Sequence, residues 1–324
     1  MAGISLRGAV KSPEPPPLAA LVGPTAAGKT DLSLAVADRF PLEILVADSR
    51  QVYRGMDVGT AKVGQEARER VPHHLLDLVE PSEPFTVAEW VARARTLLPQ
   101  IGARGRLPLV VGGTGLYVTA LVDGFDFASQ PWSPEVRRRL AVELETEGLR
   151  ALAERLARLD PASAARTDLR NPRRLLRALE RVELAGIAAA DTVGAEPYPG
   201  RVALLGVTRP LPVLDRRIGE RATAMFQGGL LDETRALLER GLDPALPALT
   251  GHGYAEAARH LAGEWSLELA IETTAHRVRR YARRQLSWFR RDRRLVWVDA
   301  GERHADDRSL VQQGSDLLNR LLVG

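Results

Sequence analysis

The sequence has no cysteine, almost no lysine and no long apolar run. Without cysteine, disulfides, thiolate nucleophiles and cysteine-ligated zinc sites are excluded, and the composition fits a reducing cytoplasm. The longest apolar runs are far shorter than the ~20 residues that a membrane-spanning helix needs. Residues 1–10 also lack the apolar stretch of a secretory signal. We therefore expect a cytoplasmic protein.

Arginine is abundant instead. The 45 basic residues include only three lysines, Lys11, Lys29 and Lys62, and the net charge is +4. Arginine binds phosphate bidentately and stacks on bases, so this chain is a candidate for nucleic-acid binding. A GC-rich genome would produce the same bias, and only clustering of the arginines can separate the two explanations.

The alternation of apolar and polar stretches predicts an α/β protein. Residues 1–17 end in a proline-rich stretch, and we expect them to form an extended, poorly ordered tail. Short apolar runs at 18–22, 43–47 and 107–111 each end in a polar or glycine-rich turn. Strand, turn and helix in repetition indicate a parallel sheet flanked by helices. Ligands of such sheets bind at the carboxyl ends of the strands.

A helical stretch interrupts this pattern. Leucines recur at helical spacing among arginine and glutamate between residues 133 and 186, and strand character returns near residue 202. The 324 residues suffice for about two domains. We predict an α/β core domain formed by residues 18–123 and 201–324, with a helical C-terminal half. An inserted, all-helical domain is predicted at 124–200.

A phosphate-binding loop follows the first predicted strand and opens a helix. Residues 23–30 read GPTAAGKT and fit the P-loop pattern G-x-x-x-x-G-K-[ST]. Backbone amides and the helix N-terminus point at phosphate oxygens, Lys29 adds a positive charge, and the Thr30 hydroxyl can hold Mg²⁺. The P-loop predicts a diphosphate or triphosphate ligand, and its predicted contacts in this loop are Gly23, Thr25, Ala26, Ala27, Gly28, Lys29 and Thr30. The GTPase tetrad Asn-Lys-x-Asp is absent, which leaves a kinase or a transferase that uses another diphosphate.

Further motifs stand in a fixed order behind the P-loop. They are DSRQVY at 48–53, GMDVGTAK at 55–62, VPHHLLD at 71–77, GGTGLY at 112–117, RLLRALE at 174–180, Gly253-Tyr254, and YARRQLSWFR at 281–290. Together with the P-loop, this combination resembles the tRNA dimethylallyltransferases, also called tRNA isopentenyltransferases. The resemblance covers about residues 18–300.

This resemblance implies an activity. Enzymes of that family transfer a dimethylallyl group from dimethylallyl diphosphate to N6 of adenosine 37 in tRNA, with Mg²⁺, and they are monomers. An adenine amine is a poor nucleophile, so it needs orientation and a proton acceptor. By analogy Asp48 is the general base, although a role as a Mg²⁺ ligand remains open. The resemblance also implies that Thr114 and Arg217 act at the leaving diphosphate and that Arg221 binds it, unless Thr114 only shapes a turn and the arginines lie on a solvated helix.

An arginine-rich stretch near the C-terminus is typical of an RNA interface. Residues 276–294 contain nine arginines, one aspartate and the aromatic pair Trp288 and Phe289. Basic side chains contact phosphate, and aromatic ones stack on bases. The resemblance assigns tRNA contact to this stretch, to the strand-end turn and to the insertion. The predicted tRNA-binding residues are Asp48, Ser49, Arg50, Gln51, Arg137, Arg173, Arg174, Arg177, Gly253, Tyr254, Arg284, Gln285, Trp288 and Arg290.

Two other activities remain alternatives at this stage. One is a P-loop kinase acting on a small molecule, with the insertion as its lid. The other is prenyl transfer to free adenine nucleotides, against which the long basic C-terminal half argues. The sequence departs from the family pattern at Val63, Asn171, Gly251-His252 and Ala255, and these departures affect the details of tRNA contact.

Overall fold

The computed structural model describes residues 14–125, 132–185, 196–302 and 308–323. Contacts divide the chain into two units. One comprises Met1–Val122 with Tyr198–Gly324, and the other comprises Asp123–Pro197. The second unit corresponds closely to the insertion predicted at 124–200. Among the described residues, none of the helices has the length and apolar character that would let it span a membrane.

The larger unit is built on a six-stranded sheet in the order β3-β2-β4-β1-β5-β6, and every neighbouring pair is parallel. The strands are β1 Leu18–Val22, β2 Leu42–Ala47, β3 His73–His74, β4 Leu107–Gly112, β5 Val202–Thr208 and β6 Val296–Asp299. Strands β1, β2 and β4 are almost wholly buried. Such burial requires near-continuous apolar runs, which the sequence has. The parallel sheet with flanking helices confirms the predicted fold class.

The described residues form twelve helices. They are α1 Lys29–Ala37, α2 Gln65–Arg70, α3 Val87–Ala103, α4 Gly115–Asp123, α5 Pro134–Leu159, α6 Pro161–Arg166, α7 Pro172–Ala185, α8 Leu211–Met225, α9 Leu231–Glu239, α10 Tyr254–Leu261, α11 Leu267–Phe289 and α12 Arg308–Val323. A π-helical turn, Phe226–Leu230, joins α8 to α9, and its Gly229 has a left-handed φ of 105°. Helices α5, α6 and α7 belong to the smaller unit.

One carboxylate interrupts the apolar run of β2. Glu43 is buried, and it accepts hydrogen bonds from Arg104 at 2.8 and 2.6 Å. His74 on the adjacent strand β3 lies 2.7 Å from the same carboxylate. The hydrogen bonds from Arg104 hold the pKa of Glu43 at about 2, so the group is charged at neutral pH. Its charged partners explain how a glutamate occupies a central strand.

The structure describes the last four residues of the tail that was predicted to be disordered. Residues 1–13 lie outside the described residues, but residues 14–17 lead directly into β1. The Tyr198 hydroxyl donates a hydrogen bond to the Pro16 carbonyl at 2.6 Å. The Pro16 ring packs against Gly102, where an added Cβ would lie 2.7 Å from it. Packing of a proline ring and one hydrogen bond therefore fix the chain before residue 18, which a proline-rich composition did not predict.

The smaller unit has its own apolar core. Leu140, Leu152 and Leu156 of α5 pack with Leu175 and Leu179 of α7. Helix α5 is kinked at Gly148, where φ is 82°. Buried leucines at helical spacing on two helices are the pattern that predicted an all-helical insertion.

Substitution of Gly112 by alanine is expected to destabilise the core. A Cβ at this position would lie 2.0 Å from the Ala47 carbonyl oxygen, because β4 and β2 pair there. Overpacking of this kind costs about 1–3 kcal/mol. Urea denaturation of Gly112→Ala measures the loss, and Gly64→Ala is the control, since a Cβ on Gly64 meets nothing within 4 Å. Equal stability of the two variants would contradict the prediction.

Candidate active site

Three strand ends meet at one level of the sheet. Gly112 at the end of β4 pairs with Val22 of β1 on one side and with Ala47 of β2 on the other. The residues that follow these strands, Gly23 and Asp48 among them, are therefore brought to one edge. The sequence predicted this arrangement, because parallel strands present their carboxyl ends together.

The P-loop turns sharply between β1 and α1. Gly23 has a φ of 144°, and a Cβ there would lie 2.2 Å from the Val207 carbonyl oxygen, so only glycine fits. Gly28 and Ala26 have left-handed φ values of 96° and 63°. Helix α1 begins at Lys29, directly after the loop, and the N-terminus of a helix is suited to an anion. The Lys29 ammonium donates to the Pro24 carbonyl at 2.8 Å.

Side chains from the C-terminal half hold the loop. The Gln285 side chain accepts the Thr25 amide at 2.8 Å, and its own amide donates to the Gly113 carbonyl at 2.9 Å. Arg209 donates through Nε to the Ala27 carbonyl at 2.8 Å. Arg217 donates through Nε to the Ala26 carbonyl at 3.0 Å. The loop conformation thus depends on helices α8 and α11 and on the end of β5.

A cavity of about 740 Å³ opens above the loop. Ten of the predicted site residues line it, namely Thr25, Ala26, Gly28, Lys29, Thr30, Asp48, Gln51, Arg217, Arg221 and Gln285. Part of its wall is apolar and is formed by Leu34, Ile44, Val46, Val63, Ala67 and Val111. Gly23, Ala27, Ser49, Arg50 and Thr114 are not in the lining. The cavity therefore combines cationic and apolar walls, and we call it the P-loop cavity.

Two half-buried cations of this cavity, Lys29 and Arg221, have lowered pKa values. Burial, and next the Arg221 guanidinium, lower the pKa of the Lys29 ammonium to about 8, against the opposing effect of the Asp48 carboxylate. Burial likewise lowers the pKa of Arg221. An anion that enters the cavity would relieve both costs, because it favours the charged forms. The Lys29 end of the cavity is therefore a candidate anion site.

Asp48 opens a tight turn at the end of β2. Its Oδ1 accepts the Arg50 amide at 2.8 Å, and Thr114 Oγ1 accepts the Ser49 amide at 3.1 Å. Arg50 extends away and donates to the carbonyls of Pro247 and Ala248. One carboxylate oxygen of Asp48 is thus used by the turn, while the side chain still lines the cavity. The position suits a general base, a role that stays a prediction.

Two predicted tRNA contacts are buried instead. Gln285 is 6% exposed, and both ends of its amide bind the protein. Tyr254 is 1% exposed, and its hydroxyl donates to Glu233 at 2.5 Å. Gly253 before it has a φ of 97° and starts α10. Spacing in the sequence did not reveal that the Tyr254 side chain faces the interior or that both ends of the Gln285 amide bind the protein. Both residues thus have structural contacts that the prediction of tRNA binding did not include.

The other predicted contacts on α11 are more accessible. Arg284 is exposed, with its guanidinium 5.6 Å from the Tyr281 ring centroid, and Arg290 is exposed at the helix end. Trp288 is half-buried, packs over Gly115, and donates to Thr119 at 3.3 Å. Several other arginines of the stretch bind the protein itself, such as Arg283, which pairs with Asp215 at 2.7 Å.

In the smaller unit, the predicted tRNA contacts differ in their surroundings. Glu180 is 1% exposed and accepts hydrogen bonds from Arg137 at 2.8 Å and Arg177 at 2.7 Å. Those two arginines therefore stabilise the unit, since they neutralise a buried carboxylate. Arg173 and Arg174 are exposed, and their backbone amides donate to the Asn171 side chain at the start of α7. Asn171 thus keeps a helix-capping role despite its departure from the family pattern.

Three residues near the site escaped prediction. Glu233 of α9 accepts the amides of residues 57–59, and Lys62 is 0% exposed between Asp57 and Asp77 at 2.5 and 2.6 Å. His252 meets the Tyr281 ring edge-on at 5.4 Å. Burial lowers the pKa of His252 to about 4, so it is neutral at pH 7. Lys62 ends the GMDVGTAK motif and is one of only three lysines in this chain, but neither signal predicted its buried ion pairs.

The acidic and histidine side chains of the cavity lining are Asp31, Asp48, His73 and Glu220. Among the described residues, no group of three or more His, Asp or Glu side chains could by itself hold a metal ion. Thr30 and Asp48 nevertheless both line the cavity. Their oxygens are hard donors of the kind that Mg²⁺ takes when substrate phosphates and water supply the other ligands. The residues present therefore fit a Mg²⁺ that arrives with a diphosphate.

Comparison with known proteins identifies the family. The family model described as IPP transferase matches residues 51–292. The tRNA dimethylallyltransferase of Heliobacterium modesticaldum is 43% identical over 310 residues, which cover 94% of this chain and 95% of that protein. Its counterpart in Thermobifida fusca is 46% identical over 308 residues, covering 93% and 96%. The crystal structure of the full-length tRNA isopentenylpyrophosphate transferase from Bacillus halodurans matches with a TM-score of 0.71 at 38% identity, covering 94% of this chain and 96% of that one.

These matches agree with the motifs read from the sequence. They extend over nearly the whole chain and do not favour the alternative of a P-loop kinase. The P-loop, the strand-end aspartate and the basic C-terminal half stand together in the larger unit. The chain belongs to the IPP transferase family, that of the tRNA dimethylallyltransferases, and is thereby a prenyl transferase.

Proposed function

We propose that the protein transfers a dimethylallyl group from dimethylallyl diphosphate to N6 of adenosine 37 in tRNA. The observation that carries this proposal is the composition of the P-loop cavity. Lys29, Arg217 and Arg221 line it together with a P-loop, while another part of the wall is apolar. A cationic site beside an apolar wall fits a ligand with a diphosphate head and a short hydrocarbon tail.

Asp48 is the proposed proton acceptor. The N6 lone pair attacks C1 of the dimethylallyl group while the bond from C1 to the diphosphate oxygen breaks. The proton leaves N6 for the free carboxylate oxygen of Asp48, and the electron pair of the broken bond leaves with the diphosphate. Preorganised donors at the leaving oxygen give the largest gain in such a step. Lys29 and Arg217 supply them, and Arg221 binds the diphosphate.

Thr114 has a proposed role at the same step. It is not in the cavity lining, and its Oγ1 holds the Ser49 amide. A threonine hydroxyl both accepts and donates, and Tyr281, which lines the cavity, is a further hydrogen-bond partner of this one. A Mg²⁺ held by Thr30 and the diphosphate oxygens would offset the negative charge of the leaving group when bound.

The RNA reaches the site by base flipping in this proposal, because N6 of a stacked base is otherwise inaccessible. The exposed arginines Arg284 and Arg290 of α11, and Arg173 and Arg174 of α7, are the proposed phosphate contacts. A cytoplasmic location and a monomeric state remain predictions.

A mass-spectrometric assay tests the proposal. The full-length protein, Mg²⁺ and dimethylallyl diphosphate are incubated with an unmodified anticodon stem-loop that bears A36 and A37, and separately with AMP and ATP. We expect a gain of one dimethylallyl group on the RNA alone. Transfer to AMP, or phosphoryl transfer from ATP, with none to RNA would overturn the proposal.

Diphosphate binding is expected to weaken as the pH rises above about 8, because free Lys29 loses its proton in that range. An anion beside the ammonium raises its pKa again, so binding just above this pH takes up a proton. Calorimetric titration with inorganic diphosphate in two buffers of different ionisation enthalpy measures the uptake. Lys29→Met should bind diphosphate without taking up this proton. If the variant takes up as many protons as the wild-type protein, the Lys29 ammonium is not the group that titrates.

A further inference from the structure

Glu233 on α9 forms an unusual set of hydrogen bonds. Its Oε2 accepts the amides of Asp57 at 2.8 Å and Val58 at 2.9 Å. Its Oε1 accepts the Gly59 amide at 3.2 Å and the Tyr254 hydroxyl at 2.5 Å. Three consecutive amides that converge on one point form the kind of concave site that proteins use for anions. Here a side chain of the protein itself fills that site, and each of its oxygens accepts two hydrogen bonds.

The backbone that Glu233 holds leads into the P-loop cavity. Thr60 and Ala61 follow directly and line the cavity. The Thr60 carbonyl accepts the Gln51 side-chain amide at 3.0 Å, and Gln51 lines the cavity three residues after Asp48. A chain of contacts therefore runs from Glu233 through residues 57–60 to the turn that carries Asp48, the proposed proton acceptor.

Packing fixes the same segment. A Cβ on Gly59 would lie 2.4 Å from Cε2 of Tyr254 and 2.9 Å from a methyl carbon of Leu230, so the backbone lies directly against both side chains. Burial raises the pKa of Tyr254, which keeps its hydroxyl a donor to Glu233 at all ordinary pH values. At the other end of the segment, Lys62 donates to the Tyr53 carbonyl at 2.8 Å. This segment of the cavity wall cannot shift without breaking several of these contacts.

The P-loop is held by different residues. Gln285, Arg209 and Arg217 bind its backbone, and none of the hydrogen bonds of Glu233 reaches it. Changes at Glu233 should therefore leave the anion site intact while they displace the wall on the Gln51 side. This separation distinguishes a positioning effect from a general loss of structure.

We propose that Glu233 is a positioning residue for the adenine that accepts the dimethylallyl group. By holding the amides of residues 57–59, it sets the place of Gln51 and of the cavity wall against which the adenine meets Asp48. It contributes to turnover and not to diphosphate binding. This inference depends on the proposed function, since it concerns the acceptor of that reaction.

Glu233→Gln is the test variant, with Glu239→Gln on the exposed side of the same helix as its control. Either orientation of a glutamine amide would point an NH₂ group at donors, because both carboxylate oxygens accept. We expect kcat for the stem-loop to fall about 10- to 100-fold, the scale of a small misplacement of reacting groups. The affinity for inorganic diphosphate with Mg²⁺ should be unchanged. Glu233→Asp, which keeps the charge, should recover part of kcat.

Hydrogen exchange gives a readout that does not depend on activity. The amides of residues 57–59 should exchange faster in Glu233→Gln than in the wild-type protein. If Glu233→Gln fails to fold, Gly59→Ala displaces the same segment with Glu233 intact and should show the same pattern. An unchanged kcat would overturn the proposal, as would a parallel loss of kcat and diphosphate affinity. A wild-type protein without prenyl transfer would instead overturn the proposed function, and the exchange rates would still show whether Glu233 holds the segment.

Discussion

Asp48→Asn is expected to lower kcat for prenyl transfer by about 10²- to 10⁴-fold, the usual contribution of a general base. Asparagine keeps an oxygen that can accept the Arg50 amide, so the turn at the end of β2 survives. It has no carboxylate to accept the N6 proton. The loss should therefore fall on turnover, while the affinity for inorganic diphosphate is retained. Single-turnover measurements with the stem-loop separate the chemical step from product release.

The matched control is Asp38→Asn. Asp38 ends α1, outside the cavity lining, and pairs with Arg70 on the surface. Its variant should turn over at the wild-type rate. If Asp48→Asn loses diphosphate affinity together with kcat, Asp48 acts through the metal, which is the alternative that the sequence left open. If it loses neither, Asp48 is not the base.

Arg217→Lys is expected to reduce kcat by about 10²- to 10³-fold, the cost of removing one preorganised donor from a developing negative charge. Arg217 lines the cavity and is oriented by the bond from its Nε to the Ala26 carbonyl. That bond leaves the two terminal nitrogens of the fork for the diphosphate. A lysine keeps the charge but offers no planar fork, so it cannot bind the loop and the substrate at once.

The adjacent residue offers the control. Arg216 is exposed and lies 3.5 Å from Glu302 in a surface ion pair. Such pairs contribute little, so Arg216→Lys should have wild-type kinetics. If Arg217→Lys turns over at the wild-type rate, a positive charge alone suffices at this position. That result would contradict the proposal that the planar fork of Arg217 binds the loop and the diphosphate together.

Sequence patterns predicted the central strands well, since a buried parallel strand needs an apolar run. The run at 18–22 coincides with β1. Strand β3 was not predicted, because a two-residue edge strand needs no apolar pattern. His73 and His74 join the sheet through backbone pairing with Ile44 and Leu45.

The site was predictable where the residues are close in sequence and bind through backbone geometry. The P-loop and Asp48 follow from strand ends, and both line one cavity. The inward-facing roles of Tyr254 and Gln285 were not predictable, because their partners lie far away in the sequence. Gln285 and the Thr25 amide are 260 residues apart. Nor could spacing show that Arg137 and Arg177 share the buried carboxylate of Glu180.

The supports of the P-loop have a consequence for synthesis of the chain. Its sequence is complete by residue 30, but the side chains that bind its backbone come from residues 209, 217 and 285. Contacts between such distant residues form late, because the intervening chain must first be closed into a loop. On the ribosome, a partly synthesised chain therefore has the phosphate-binding motif without its working shape. We therefore expect a nearly finished chain, and not a much shorter one, to bind an anion at this loop.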